Sequence, residues 1–241
     1  MLSLNQILKP AILGGGILLA GANAFALTDG PYNVVFPVGG GTTALDFASS
    51  MVLPKFNVAG GTLVSVSLTL SGTVTAQQDF ENKSASPSTV TMTSTGTMTL
   101  MRPDTTTLVI TVPKVVNIKS VGAFDTVNDS GGTSGFTFPP TTASLSNTQS
   151  YSGATDLALF TGAGNISLPL TAAGISSGTG SANLATGATM VGSASATVTY
   201  TYSVAAVPEA STYGAIGAVS LAGFLGYRRS RRNASTVVTT P

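Results

Sequence analysis

A chain of 241 residues with ten basic and nine acidic side chains has room for one domain, at most two, and carries a net charge of +1. It has neither cysteine nor histidine, which excludes Ser-His-Asp and Cys-His catalysis, ordinary His-based zinc sites and the lipidated cysteine of a lipoprotein precursor. Between Leu27 and Ala206 the eight acids are Asp29, Asp46, Asp79, Glu81, Asp104, Asp125, Asp129 and Asp156, against the five bases Lys55, Lys83, Arg102, Lys114 and Lys119, a net of −3; without a basic stripe to neutralise phosphates, nucleic-acid binding is disfavoured.

The first element is MLSLNQILKPAILGGGILLAGANAFA, residues 1–26. Lys9 and the amino terminus give a positive start, Ala11 to Ala22 an apolar stretch, and Ala24-Phe25-Ala26 a small-x-small cleavage site. This is the pattern of a secretory signal peptide, so residues 1–26 are expected to form a signal helix that engages the secretion machinery. Signal peptidase would then leave a mature chain starting at Leu27.

Residues 27–206 alternate in polarity. Val64, Val66, Leu68, Leu70, Val74 and Ala76 take turns with Ser65, Ser67, Thr69, Ser71, Thr73 and Thr75, a period of two that predicts a strand with one buried face. Gly72 is expected to interrupt it as a bulge or bend. The same pattern recurs in Val90, Met92, Met98 and Leu100; in Thr106, Leu108, Ile110 and Val112; and in Ala194, Ala196, Val198, Tyr200, Tyr202 and Val204. Glycine clusters at 39–41, 60–61 and 131–132 separate these runs, and no helical period intervenes. The reading is all-β: an antiparallel β-sandwich with hydroxyl-rich outer faces.

Chemistry-bearing residues are sparse here. Asp79 and Glu81 fall on one side of a continuing strand and read as a solvated pair. Asp125, Asn128 and Asp129, ahead of Ser130-Gly131-Gly132, offer oxygen ligands of the kind calcium takes, but their spacing does not match an EF-hand loop. The same residues are ordinary turn formers, and the turn reading outweighs the metal one. Gly162-Ala163-Gly164-Asn165 and Gly178-Thr179-Gly180 lack the lysine of a phosphate loop and read as turns. Asn82, Asn128 and Asn165 head N-glycosylation triplets. No cofactor is implied.

Residues 207–241 change character. Ser211 to Tyr227 has no charge and is near the lower length for a transmembrane helix, predicted over 211–227. Arg228, Arg229, Arg231 and Arg232 follow, which orients the trailing side to the cytoplasm and the preceding domain outside. A polar tail, 233–241, ends the chain. Val207-Pro208-Glu209-Ala210, the apolar segment and the arginine cluster together resemble the PEP-CTERM sorting signal of exopolysaccharide-producing bacteria, with Ala210 where the second proline usually stands. The resemblance implies recognition by an exosortase-type membrane protease and cleavage near Pro208-Glu209, after a transient stay in the inner membrane of a Gram-negative-type bacterium. Asp79 to Asn82, Phe124-Asp125 with Asp129 to Gly135, Leu159 to Gly164 and Tyr200-Thr201-Tyr202 occur in an order similar to the choice-of-anchor E domain, which implies an extracellular β module without catalytic residues.

The leading expectation is therefore a non-catalytic exported surface or extracellular-matrix protein associated with exopolysaccharide and biofilm. The competing one is a glycan- or calcium-binding adhesion module using tyrosine or phenylalanine platforms. A third, a carboxylate-based hydrolase, lacks two carboxylates placed by any visible pattern.

Overall fold

The computed structural model describes residues 26–205 and 210–234. The β unit, Ala26–Val204, contains β1 (Ala26–Phe36), β2 (Thr43–Ala44), β3 (Phe47–Pro54), β4 (Gly61–Asn82), β5 (Ser88–Met101), β6 (Thr107–Thr111), β7 (Lys114–Val121), β8 (Gly135–Thr137), β9 (Thr141–Tyr151), α1 (Ala154–Phe160), β10 (Asn165–Thr179) and β11 (Leu184–Val204). One six-stranded sheet runs β1-β11-β4-β8, with β2 also on β11 and β9 also on β4. The other, five-stranded, runs β3-β10-β5-β6, with β7 also on β5. Every strand pairing is antiparallel.

The alternation explains the layering. Val66, Leu68, Leu70 and Val74 of β4 and Ala196, Val198 and Tyr200 of β11 are fully buried against Met98 and Leu100 of β5 and Leu168 and Leu170 of β10. Each such Val, Leu or Met contributes about 1.5–3 kcal/mol by leaving water. The polar alternates face outward, and the all-β sandwich read from period two is what forms. A second, smaller cluster, Phe80, Val90, Met92 and Phe138, lies farther along β4 and β5. Between the clusters the inward positions are polar. The Gln78 amide donates to Ser94 Oγ (2.7 Å) and accepts from Asn117 Nδ2 (2.9 Å), so this break in the core is satisfied by hydrogen bonds.

Four local expectations need correction. First, β4 does not bulge at Gly72, which pairs regularly with Ala194. A Cβ there would lie 2.6 Å from Met98 Sδ, so the residue is small because the opposite sheet comes close. The bulge is at Val64 instead: Thr201 pairs with Ser65 and the next residue, Tyr202, with Leu63. Val64 is thereby turned to solvent and Leu63 inward. Second, β6 carries an extra residue at Leu108, because Leu100 pairs with Val109 and Met101 with Thr107. Leu108 and Val109 both face the core, and from there the phase inverts: Ile110 and Val112 are exposed and Thr111 is buried, its hydroxyl donating to Leu145 O (2.8 Å). Third, residues 154–160 form a short helix, α1, with Asp156 in its first turn and Phe160 anchored in the core. Fourth, Gly178 and Thr179 belong to β10 instead of a turn.

Outside the β unit, α2 spans Ala210–Ala234 and runs on through the arginines. Among the described residues no helix is long and apolar enough to cross a membrane. In the segment expected to span over 211–227, Gly214, Gly217, Gly223 and Gly226, with Ser211, Thr212, Tyr213, Ser220 and Tyr227, dilute the Ile, Val, Leu and Phe content. The expected signal helix up to residue 25, Val207, Pro208 and Glu209, and residues 235–241 of the tail lie outside the described residues.

Candidate functional site

The β7–β8 connection, Gly122 to Ser134, is built from turn residues. Thr126, Ser130 and Gly132 adopt φ values of 76°, 53° and 62°, a region L-residues enter only when held there. Two aspartates hold them. Asp125 accepts the Val127 N–H at Oδ1 (3.1 Å) and the Thr133 N–H at Oδ2 (3.1 Å), and Asp129 Oδ1 accepts the Gly131 N–H (2.9 Å). The Val127 and Thr133 amides beside Asp125 hold its carboxyl below the ordinary value. The proposed calcium trio is therefore not a cage. Asp125 and Asp129 cap loop amides, and among the described residues no group of three or more His, Cys, Asp or Glu side chains has metal-holding spacing.

The loop folds onto the outer face of β4 and β8. The Ser134 hydroxyl donates to Glu81 Oε1 in a short contact and accepts the Asp125 N–H (3.2 Å), while Ser130 Oγ donates to Asp79 Oδ2 (2.9 Å). Backbone bonds from Asn82 N to Ser134 O (3.0 Å) and from Gly122 N to Thr133 O (2.7 Å) fasten its two ends. Asp79 and Glu81 do share a face, as expected, but they are not a solvated pair. Glu81 is 1% exposed, and its Oε2 is buried without a hydrogen-bond partner. An ionised carboxylate so placed costs several kcal/mol unless something compensates it. Sequence reasoning missed this because the cover arrives from about fifty residues downstream (the Ser134–Glu81 separation is 53). The available signal was the change from Thr and Ser to Asp and Glu along the outward positions of β4.

Asn82 is also buried. Its Nδ2 donates to Ser86 O (2.9 Å) and Gly122 O (2.7 Å), and its Oδ1 accepts from Ser84 N (3.1 Å), so it is a tie between hairpin and loop and is closed to a glycosylating enzyme. Ser134 is likewise fully buried; its pairing with Glu81 is out of reach of a substrate.

The remaining outer face of the larger sheet is an array of hydroxyls. β4 and β9 join Thr69 to Thr148 (2.8 Å), Ser71 to Ser146 (2.7 Å), Thr73 to Ser144 (2.8 Å) and Thr75 to Thr142 (2.7 Å). On the other side of β4, Ser193, Ser195, Thr197 and Thr199 of β11 stand in register with Thr73, Ser71, Thr69 and Ser67. On the smaller sheet, Thr91, Thr93 and Thr95 of β5 lie beside exposed Ile118, Val116 and Ile175 of the neighbouring strands. None of these ladder positions is charged.

Aromatic rings are spent on the core. Tyr200, fully buried, donates its hydroxyl to Pro54 O and packs near Tyr32, Phe56 and Phe160; burial pushes its phenol far up. Among the described residues of the β unit no Tyr or Phe is exposed as a sugar platform. A hollow of about 380 Å³ lies between the β5–β6 turn and α1, lined by Arg102, Pro103, Asp104, Thr155, Ala158 and Leu159, with Arg102 engaged in an ion pair with Asp156.

Of the expected processing residues, Ala24, Val207, Pro208 and Glu209 lie outside the described residues; Ala26 opens β1, paired with Ser203. Ala210, Arg228, Arg229, Arg231 and Arg232 lie in α2, with the Arg228 guanidinium 5.9 Å from the Phe224 ring centroid.

No protein-family model matches the chain, and no curated protein is similar to it in sequence. Among solved structures it is similar to those of the infectious bursal disease virus Gx strain (13% identity, 79% of this chain and 42% of that chain, TM-score 0.19) and of the VP2 subviral particle of the same virus (15% identity, 90% and 54%, TM-score 0.17). The chain thus spans about half the length of these proteins or less, and overlaps this slight carry no argument about fold or function.

Proposed function

We infer that the chain is a non-catalytic exported protein of the cell surface or extracellular matrix of a Gram-negative-type bacterium, delivered by a C-terminal sorting signal and associated with exopolysaccharide. The observation that carries this reading is a combination. A β unit offers broad, uncharged hydroxyl ladders, and the chain continues into α2, whose uncharged first turns lead into Arg228, Arg229, Arg231 and Arg232. Hydroxyls in register suit many weak hydrogen bonds to a neutral sugar polymer, individually modest and collectively adhesive. The order Pro208-Glu209, apolar helix, arginine cluster suits recognition by an exosortase-type protease, with the helix held transiently at the inner membrane. Secretion machinery and signal peptidase act earlier, on residues 1–26.

The test is deletion of 208–241 in the native host, with cell fractionation and matrix extraction. Loss of surface display supports the sorting role, and unchanged display with unchanged matrix association refutes it. Co-sedimentation of the full chain with purified host exopolysaccharide tests the second half: no binding above a charged-surface control protein would remove the polymer from the account.

A further inference from the structure

We propose that the outer face of the smaller sheet is a self-association surface, which takes a second copy of this chain sheet against sheet. The pairing does not depend on how the protein is sorted, and it leaves the hydroxyl ladders of the larger sheet open on both outer sides of the pair.

Apolar exposure is the first observation. β5 lies between β10 on one side and β7 and β6 on the other, and its outward positions are the file Thr89, Thr91, Thr93, Thr95, Thr97 and Thr99. Ile175 of β10 (71% exposed) and Ile118 and Val116 of β7 (62% and 46%) stand beside this file, and exposed Ile110 and Val112 lie along its other end. Large apolar side chains gathered on one face, unlike ones scattered singly, mark an interaction surface. The second observation is charge. Lys114, paired with Thr95, is the one charged side chain among the outward positions of β5, β6, β7 and β10. At the same level, on the far side of β10, exposed Asp46 accepts the Gly174 N–H (3.0 Å), and Gly174 pairs with Gly96.

This layout is complementary to itself. A two-fold axis running along the strands, between β5 and β10, exchanges the residues that pair across them. It sets Lys114 of each copy opposite Asp46 of the other and brings Ile175 to its counterpart at the axis. It also lays Thr91 and Thr93 over Thr179 and Ser177 of the second copy. The hydroxyls of Thr91, Thr93, Thr95, Thr97 and Thr99 make no hydrogen bond within the described residues, whereas those of Thr69, Ser71, Thr73 and Thr75 are already paired with β9. Size is the third observation. With a rise of about 3.4 Å per residue and strands about 4.8 Å apart, the Thr89–Thr99 file and its neighbouring strands cover roughly 33 Å by 15–19 Å, about 500–600 Å². Two copies then bury about 1,000–1,200 Å², the lower range of a specific interface, and the faces stack aligned as the sheets of a sandwich do. An Ile and Val centre of that size, with one charge pair at each rim, fits a reversible dimer with a Kd of about micromolar.

Sedimentation velocity of the full chain, from about 1 to 100 µM, reads the association directly. A monomer–dimer equilibrium is expected. Ile175→Lys sets two like charges at the axis and should weaken it at least about tenfold. Lys114→Glu, facing Asp46, should weaken it too, and adding Asp46→Lys to that variant should restore it. Val35→Lys, on the outer face of the larger sheet, should leave it unchanged. These positions are exposed, so the fold survives, which far-UV circular dichroism checks; Ile175→Lys alone decides if the charge swap does not fold. A chain monomeric at every concentration, a dimer indifferent to Ile175→Lys (as association through α2 would be), an equal loss in Val35→Lys, or a folded charge swap that restores nothing overturns the proposal.

Discussion

Replacing Gly96 by alanine is a sharp test of how closely the two sheets approach. Gly96 sits mid-strand in β5, and a Cβ on it would lie 2.4 Å from Val74 Cγ2 of the opposite sheet and 3.4 Å from Leu45 Cδ1. Val74 is fully buried and, being β-branched, has little rotamer freedom with which to yield. Overpacking of this kind costs about 1–3 kcal/mol, and alanine recovers about 0.5–1 kcal/mol of the entropy glycine loses in a strand, leaving a net loss of about 1–2 kcal/mol. With a urea m-value of about 2 kcal/mol/M, the midpoint falls by roughly 0.5–1 M without a change of slope. Far-UV circular dichroism is the appropriate probe, because the chain has no tryptophan. Val74→Ala alone costs about 2–3 kcal/mol. It also removes the clashing methyl, so the double variant should be more stable than the sum of its parts by about 1 kcal/mol. A Gly96→Ala midpoint at or above wild type, or strict additivity in the double variant, refutes the close approach.

Other expectations follow from the loop and the core. Ser134→Ala removes the donor to Glu81 Oε1 and the acceptor of the Asp125 N–H; it should cost about 1–3 kcal/mol by denaturation and expose the loop to limited proteolysis, whereas an unaffected midpoint would contradict the burial of that pair. Asp125 has its carboxyl held below 3.8 by the Val127 and Thr133 amides, so its contribution is present above the unfolded value and is lost as pH falls through the folded one. Asp125→Asn should therefore lower Tm at neutral pH and converge with wild type as pH falls through the folded-state value, while a gap constant with pH would assign the effect to something other than charge. Tyr200→Phe leaves Pro54 O without its donor; a loss of about 1–2 kcal/mol is expected, measured by the same urea titration.

The sheets were legible because one physical rule governs them. Buried Val, Leu and Met alternate with hydroxyls that satisfy themselves outside, as in Leu68, Leu70 and Val74 against Thr69, Ser71 and Thr73. The errors occur where that period is broken by a single residue. The extra residues at Val64 and Leu108 invert the phase, and neither Val64 nor Leu108 differs in type from its neighbours. Gly72 was recognisable as special, but a bulge and a close inter-sheet approach both call for glycine, and only the partner strand tells them apart. Helix α1, seven residues long, is too short to declare a period. Glu81 was the largest omission: its burial depends on a loop distant in sequence, and the change to Asp and Glu along the outward positions of β4 does not say which segment covers them.

Delivery of a surface protein by its two ends is tested by intact mass and terminal sequencing of the protein recovered from its native host, fraction by fraction. Processing at both ends leaves a chain that starts at Leu27 and ends near Pro208, recovered from the surface or matrix fraction. A chain still carrying Pro241 and confined to the membrane fraction, or one retaining Met1 in the cytoplasm, would contradict it.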